Sequence, residues 1–536
     1  MKKFLALLLA AMMLLGCVAF AEEAAPALTK DVVVLFTSDV HCGIESGWGY
    51  AGVAAVRDAM AKGNHVVLVD NGDAIQGEPV GTMTKGEALI DLMNAVGYDI
   101  AAPGNHEFDY GMARFLELAE KANFPYISAN FNKEGELVFK PYVIKEFDGV
   151  KIGFVGVTTP KTITSSTPTY FQDENGNYVY GFCQDETGEK FYAAIQSAVD
   201  GARAEGAQYV IVMGHLGNEE TCKPYTSTDV IDNVSGIDAL LDGHEHETMP
   251  NNVITGKDGK EVVRVACGTK LANVGALTIT PDGKITSELY TWQNSVSPTE
   301  VFGLKGTVVD AVNEKIASMD EIRQKVVAYS EVTLHIYDAE ATDVRIIRNA
   351  ETNLGDLCAD AYRAMSGADV AFVNGGGIRA QIPAGDITLE QIYSVHPFGN
   401  VMCMVEVSGQ QILDALEWGA RNTPGENGGF LQVSGLTYEI HTYIASSCIS
   451  DENGMFTGVA GEYRVKNVTV GGEPLDVNAT YTLASHNYML KNSGDGFSMF
   501  VGTKLLMDET LIDNQVLITY ITTTLGGVVG EEYANP

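Results

Sequence analysis

Five of the ten histidines in this 536-residue chain stand in short polar clusters, and each cluster follows an apolar run. Val32 to Phe36 leads into Asp39-Val-His41, and Val66 to Val69 leads into Asp70-Asn-Gly-Asp73. Asp99 to Ala102 leads into Gly104-Asn105-His106-Glu107-Phe108-Asp109, Val210 to Met213 into Gly214-His215, and Ala239 to Leu241 into Gly243-His244-Glu-His246. Imidazole nitrogens mixed with carboxylate oxygens suit zinc, manganese or iron. Asp39, His41, Asp73, Asn105, His106, His215, His244 and His246 are more groups than one ion needs, so two ions are expected. A single Asp-x-His or Gly-Asn-His is more often a cap or a tight turn than a ligand pair; the weight lies in five clusters placed alike. Two divalent ions ~3.5 to 4 Å apart activate water for in-line attack on phosphorus.

For these clusters to meet, the apolar runs must lie side by side, because open α/β sheets gather ligands at the carboxyl ends of their strands. Strands are expected at Val32 to Phe36, Val66 to Val69, Lys151 to Val157 and Tyr209 to Met213. Amphipathic helices are expected over 51–62, 85–96, 111–121 and 189–205. That alternation implies a sheet covered by helices on both faces. Asp258-Gly259 and Asp282-Gly283 then mark closing hairpins. These elements define a first domain over 28–294. Residues 295–324, with a helical pattern from Val308 to Ile322, form a linker helix. A second α/β domain follows over 325–528, with helices over 354–366 and 409–421.

A chain that is 46% apolar and only 19% charged is globular, and its length calls for more than one core. The formal charge of -36 repels polyanions, which excludes nucleic acid and an anionic membrane face as general partners. A small anion binds only where metals or arginines reverse the sign locally. Residues 1–21 read as an export signal, with Lys2 and Lys3 before an apolar stretch. Ala19-Phe20-Ala21 fits a cleavage site that releases an exported, extracellular protein. The competing Leu14-Leu15-Gly16-Cys17 resembles a lipoprotein box, the one route to a membrane, through Cys17 at the cell surface. The other seven cysteines lack C-x-x-C spacing, so neither a zinc knuckle nor a dense disulfide framework follows. Asp173-Glu-Asn-Gly and Asp451-Glu-Asn-Gly read as plain turns rather than calcium loops.

The five clusters together resemble the blocks of the calcineurin-like metallophosphoesterases. Asn374-Gly-Gly-Gly-Ile-Arg379, Pro397-Phe398-Gly399 and Gly494-Asp495-Gly-Phe497 resemble the C-terminal domain of the secreted 5′-nucleotidase and UDP-sugar hydrolase family. The resemblance implies an N-terminal four-layer α/β/β/α sandwich joined to a C-terminal α/β specificity domain. It places one metal on Asp39, His41 and His246 and a second on Asn105, His215 and His244, with Asp73 bridging; zinc or manganese is the expected pair. It makes His106 the acid for the departing alkoxide and Asp109 its orienting partner. In the second domain it assigns Phe398 and Tyr488 to clamp a base, Asn374 to a ring nitrogen, Asp495 to ribose hydroxyls, and Arg348 and Arg379 to phosphate or ribose, with Gly376 beside them. Two departures stand out. Seven positions separate Tyr488 from Asp495 where many members have six, and Asn400 stands where some carry Arg.

The expected function is an exported dinuclear phosphatase that releases phosphate from 5′-nucleotides. Cyclic-nucleotide phosphodiesterase and nucleotide-sugar hydrolase share the chemistry and differ in the pocket. A surface nucleotide-binding protein without turnover is the alternative from another class, and the His106 and Asp109 pair argues against it. His65, His335, His396, His441 and His486 carry no motif and are read as structural, with His396 within reach of the base pocket through Pro397.

Overall fold

The computed structural model describes residues 27–166, 168–292, 307–338, 341, 344–508 and 510–536. The expected signal segment, Cys17 and residues 293–306 lie outside the described residues. No described helix is long and apolar enough to cross a membrane.

The first half runs β1 (Val32–Thr37), α1 (Gly49–Met60), β2 (His65–Asp70), α2 (Glu87–Val96), β3 (Ile100–Ala101) and α3 (Met112–Lys121). It continues through β4 (Tyr142–Phe147), β5 (Val150–Thr158), α4 (Glu189–Ala204), β6 (Tyr209–His215), β7 (Ala239–Asp242), β8 (Thr248–Thr255), β9 (Glu261–Cys267), β10 (Asn273–Ile279) and β11 (Ile285–Thr291). These strands form two sheets, ordered β11-β10-β1-β2-β3 and β8-β9-β7-β6-β5-β4. The strands that carry the polar clusters are parallel neighbours, β1 to β2 to β3 and β6 to β7, so their carboxyl ends share one edge.

Side-chain alternation sets the layers. In β1, Val33 and Leu35 face a helical core with Leu68, Leu89 and Phe115. Val32, Val34 and Phe36 face the other sheet through Phe154, Ile211 and Met213. On that sheet's outer side, Val155, Val210 and Val212 pack on Phe191, Ile195 and Val199 of α4. Helix, sheet, sheet, helix is therefore the order. The single sheet covered on both faces is corrected to two sheets, each with helices on one face. A strand buried on both sides reads as the same apolar run whether a helix or a second sheet covers it. Each fully buried Val, Ile or Phe in this sandwich contributes roughly 1.5 to 3 kcal/mol.

Helix α5 (Thr307–Arg323) places Val312 and Met319 in the first domain's helical core, and Arg323 pairs with Glu390 of the second domain at 2.7 Å. It caps one domain and touches the other. The second half holds β12 (Val326–Ser330), α6 (Asn353–Ser366), β13 (Val370–Asn374), β14 (Gly385–Thr388), α7 (Leu389–Val395), β15 (Met402–Ser408), α8 (Gly409–Gly419), β16 (Leu431–Ser434), β17 (Thr480–His486) and β18 (Lys504–Met507). Its main sheet is ordered β16-β13-β17-β15-β18, with separate cores on its two faces. Helices α7 and α8 each start with a capping box, Thr388 with Gln391 and Ser408 with Gln411, which satisfies backbone donors at both ends of the box. The chain past 528 also belongs here: Val529 pairs with Ser330, and the Tyr533 hydroxyl donates to Asp360. All seven described cysteines are free thiols.

Candidate metal centre and active site

The loops after β1, β2, β3, β6 and β7 bring the first-domain candidates to one place. Asp39, His41, Asp73, His244 and His246 all hold positive φ, between 47° and 87°, a backbone state that non-glycine residues seldom adopt and that clusters at functional sites. Close approach explains the glycines between them. A Cβ on Gly104 would lie 2.3 Å from Asp73 Oδ1, and one on Gly243 would lie 2.1 Å from Ser38 Oγ.

Two donor groups result, Asp39 with His41 and His246, and Asp73 with His215 and His244; within each, the ligand atoms lie within 4.8 Å of one another. Asn105 joins the second group, its Oδ1 2.9 Å from His244 Nδ1. Asp73 Oδ2 lies 3.1 Å from His215 Nε2 and 3.9 Å from His41 Nε2, facing both groups at once. The ring hydrogen bonds fit metal binding. His41 Nδ1 donates to Gln76 O at 3.0 Å and His215 Nδ1 to Asn71 O at 2.7 Å, so both Nε2 atoms present lone pairs. His215 Nε2 is buried with no aligned hydrogen bond, and His41 Nε2 faces His246 Nε2 at 2.9 Å. Ring nitrogens and carboxylate oxygens crowded this closely need protons or cations between them, and divalent cations fit.

Charge agrees. Burial works against the Asp73 carboxylate, but the imidazoles of His215, His106 and His41 outweigh it and hold its pKa well below the usual range. Burial lowers His215 too, and Asp73 overcomes this and lifts it to about 10. A cation is thus favoured between them, and a metal takes the place of that proton.

His106 opens a single 3-10 turn, His106–Phe108, which sets Asp109 on the same side. His106 Nδ1 lies 2.5 Å from Asp109 Oδ2, and Asp109 Oδ1 accepts from Ser166 Oγ at 2.8 Å. Burial depresses His106, yet Asp109 and Asp73 more than compensate and raise its pKa.

The second domain faces this centre across a cavity of about 960 Å³ lined from both halves. Asn374 ends β13, where Nδ2 donates to Asp495 Oδ2 at 2.7 Å and Oδ1 meets His486 Nε2 at 3.0 Å. Phe398 lies over His106, ring centroids 5.6 Å apart, with the Arg379 guanidinium 5.8 Å from the Phe398 ring centroid. Tyr488 packs on the Gly494 backbone, donates to Thr164 O at 2.9 Å and accepts from Asp495 N at 3.1 Å. Ser493 and Asp495 hold positive φ in the segment between Tyr488 and Asp495, and Tyr488 lines the same cavity as Phe398. Gly376 also lines it, but its N–H is taken by Gly428 O at 2.8 Å, so it offers a close backbone surface rather than a donor. Burial, together with Arg345 and Arg379, lowers Arg348 to about 9.

Comparison with known proteins fits both halves. Residues 32–248 match the calcineurin-like phosphoesterase model and residues 326–502 match the 5′-nucleotidase C-terminal domain model. The chain belongs to the 5′-nucleotidase family of metallophosphoesterases. The trifunctional nucleotide phosphoesterase protein YfkN of Bacillus subtilis is 28% identical over 91% of this chain, which spans only 33% of that longer protein. The snake venom 5′-nucleotidase of Gloydius brevicauda is 27% identical, covering 95% of this chain and 89% of the relative. The crystal structure of the 5′-nucleotidase precursor from Thermus thermophilus matches with a TM-score of 0.75 at 26% identity, over 93% of this chain and 99% of that one.

The chain is accordingly a phosphoric-ester hydrolase of the 5′-nucleotidase type, and its family implies divalent metals. Several residues of this family member's site escaped the sequence reading. Glu107 is one: its buried carboxylate accepts the N–H groups of Asp73, Ala74 and Gly104 at 2.6 to 2.9 Å, tying the Asp73 loop to the Asn105 loop. Its place beside His106 was the only signal. Arg345 pairs through two nitrogens with Glu426 on the cavity wall, Trp418 and Arg421 line the wall near Asp495, and His486 orients Asn374. His396 is buried, with Nε2 unpartnered. His65 and His441 pair with Asp148 and Glu439 on the surface.

Proposed function

We propose that the chain is exported and removes the 5′-phosphate from nucleotides, with two divalent ions at the centre. Asp39, His41 and His246 hold one ion and Asn105, His215 and His244 the other, with Asp73 shared. When bound, the ions supply the Lewis acidity that makes water a nucleophile at neutral pH.

The chain's own groups do the rest. His106 carries its proton on Nε2, because Nδ1 is engaged by Asp109, and it gives that proton to the departing 5′-oxygen. Asp109, fixed by Ser166, keeps the imidazole oriented and cationic. Arg348 and Arg379 bind phosphate oxygens. Phe398 and Tyr488 hold the base, with Asn374 and Asp495 supplying hydrogen bonds. Phe398 over His106 also keeps bulk water off the proton donor.

The observation that carries this reading is that both donor groups and the His106–Asp109 pair open into the same cavity as Asn374, Asp495 and the two aromatics. Chelation of the purified protein should abolish phosphate release from AMP, and added zinc or manganese should restore it. No release with any metal, at two ions bound per chain, would remove the nucleotidase reading.

A further inference from the structure

One guanidinium on the cavity wall is used neither by the metal chemistry nor by the base clamp. Arg421 follows α8, and its Cζ lies 3.8 Å from the centroid of the Trp418 ring. Its Nη1 donates to Trp418 O at 2.7 Å, while Nε and Nη2 meet no acceptor among the described residues. The indole beneath it is itself fixed. Trp418 Nε1 donates to Asp495 O at 2.8 Å, the ring packs edge-on against Phe456, and a Cβ on Gly496 would lie 3.0 Å from Trp418 Cζ2. A planar fork stacked on a held indole is oriented before any ligand arrives.

Asn374 lines the same cavity and is also fixed as a donor. His486 gives a hydrogen to Oδ1, and Nδ2 gives one of its two hydrogens to Asp495 Oδ2. The reversed amide would set Oδ1 against the carboxylate. One Asn374 N–H therefore remains in the cavity that Arg421, with its two uncommitted nitrogens, also lines. The acceptor on this wall, the Asp495 carboxylate, is assigned to ribose hydroxyls in the reading above, so the groups left for a base edge are donors.

A purine edge with acceptors at C6 and N7 satisfies such donors, as a guanidinium does when it reads the O6 and N7 of guanine. A C6 amino group would meet them donor to donor. Resting on the nucleotide reading above, we infer that Arg421 makes this pocket selective for 6-oxopurine nucleotides, GMP and IMP, over AMP. The plainer role for Arg421, offsetting the charge of Asp495, gives no such preference.

The test compares kcat/KM for GMP, IMP and AMP in the metal-loaded protein, in Arg421→Gln and in Arg421→Lys, with calorimetric binding of guanosine and adenosine to each. The expected result is a preference of about tenfold or more for the 6-oxopurines in the unaltered protein, falling towards one in both variants. Lysine keeps the charge but not the fork. An unaltered protein without the preference, an Arg421→Lys variant that retains it, or equal losses on all three nucleotides in both variants would each overturn the inference. If an aryl phosphate is hydrolysed but no nucleotide is, the nucleotidase reading fails on its own. Calorimetry then decides separately: a guanosine preference lost in Arg421→Lys upholds the role of Arg421, and equal binding of the two nucleosides refutes it.

Discussion

The two walls of the cleft are built by opposite means. On the metal side, Asp39, His41, Asp73, Asn105 and His215 are buried to 3% exposure or less, with only His244 and His246 half-buried, and all lie at a strand end or within a few residues of one. On the nucleotide side, Phe398, Tyr488 and Arg421 are half-buried; Phe398 and Arg421 sit on turns, and Tyr488 in the single helical turn Asn487–Leu490, where its hydroxyl bonds Thr164 O and Asp495 N. A metal centre needs its charges placed before the ion arrives, so its side chains are locked by burial and by each other. A base pocket can be completed by the ligand, and ring stacking tolerates a small displacement that coordination does not.

The sharpest break of this comparison is at the shared carboxylate. Asp73→Ala should drop metal content from two ions per chain to below one and lower phosphate release by at least about 10³-fold, the scale expected when the water-activating site is lost. Metal analysis with a rate assay reads both. Two retained ions would show that the centre does not depend on Asp73. His106→Ala should separate chemistry from coordination, with kcat down about 10² to 10⁴-fold and two ions still bound. An unchanged rate would remove His106 from the proton path.

Across the cleft, Phe398→Ala should act on KM. Losing one stacking face is worth ~1 to 3 kcal/mol, so KM for a nucleoside monophosphate should rise roughly 5- to 150-fold while hydrolysis of a simple aryl phosphate is far less affected. Equal effects on both substrates would mean that Phe398 serves the His106 side, against which it packs, rather than a base.

The same contrast governs how much could be read in advance. The metal-side residues were legible because each stands where a continuous apolar run stops, and because strand ends in such sheets converge. The sandwich was less legible from pattern alone, since Val32 and Val33 look alike although one faces a sheet and the other a helix. Glu107 lay within a recognised block, but two of its three backbone partners, Asp73 and Ala74, stand 34 and 33 positions away in sequence. Phe398, Tyr488 and Asn374 were found only by resemblance. Trp418, Arg421 and the Arg345–Glu426 pair had no signal, because a helix end and a loop meet there without any motif to announce it. His486, read as merely structural, orients Asn374 from an interior strand that a sequence pattern cannot distinguish from ordinary core.

The smallest expected effect asks whether the rigid side owes its rigidity to the surface. Glu87, the first residue of α2, accepts from Lys121 Nζ at 2.6 Å and Arg114 Nη2 at 3.0 Å, linking α2 to α3. Those two hydrogen bonds, Lys121 first, pull its pKa down to about 2 from an ordinary value near 4.5. A depressed carboxylate contributes stability that is fully present above the unfolded pKa and is lost as pH falls from about 4.5 towards 2. The pair is solvent-exposed, so its contribution is at most ~1 kcal/mol and falls with salt. In metal-free protein, Glu87→Gln should lower Tm by about 1 to 3 °C at pH 7, less in high salt, and progressively less between pH 4.5 and pH 2. A drop that persists undiminished at low pH and high salt would show that Glu87 acts through packing at the start of α2 rather than through charge. The outer helical layer would then share in the preorganisation that the buried centre otherwise supplies by itself.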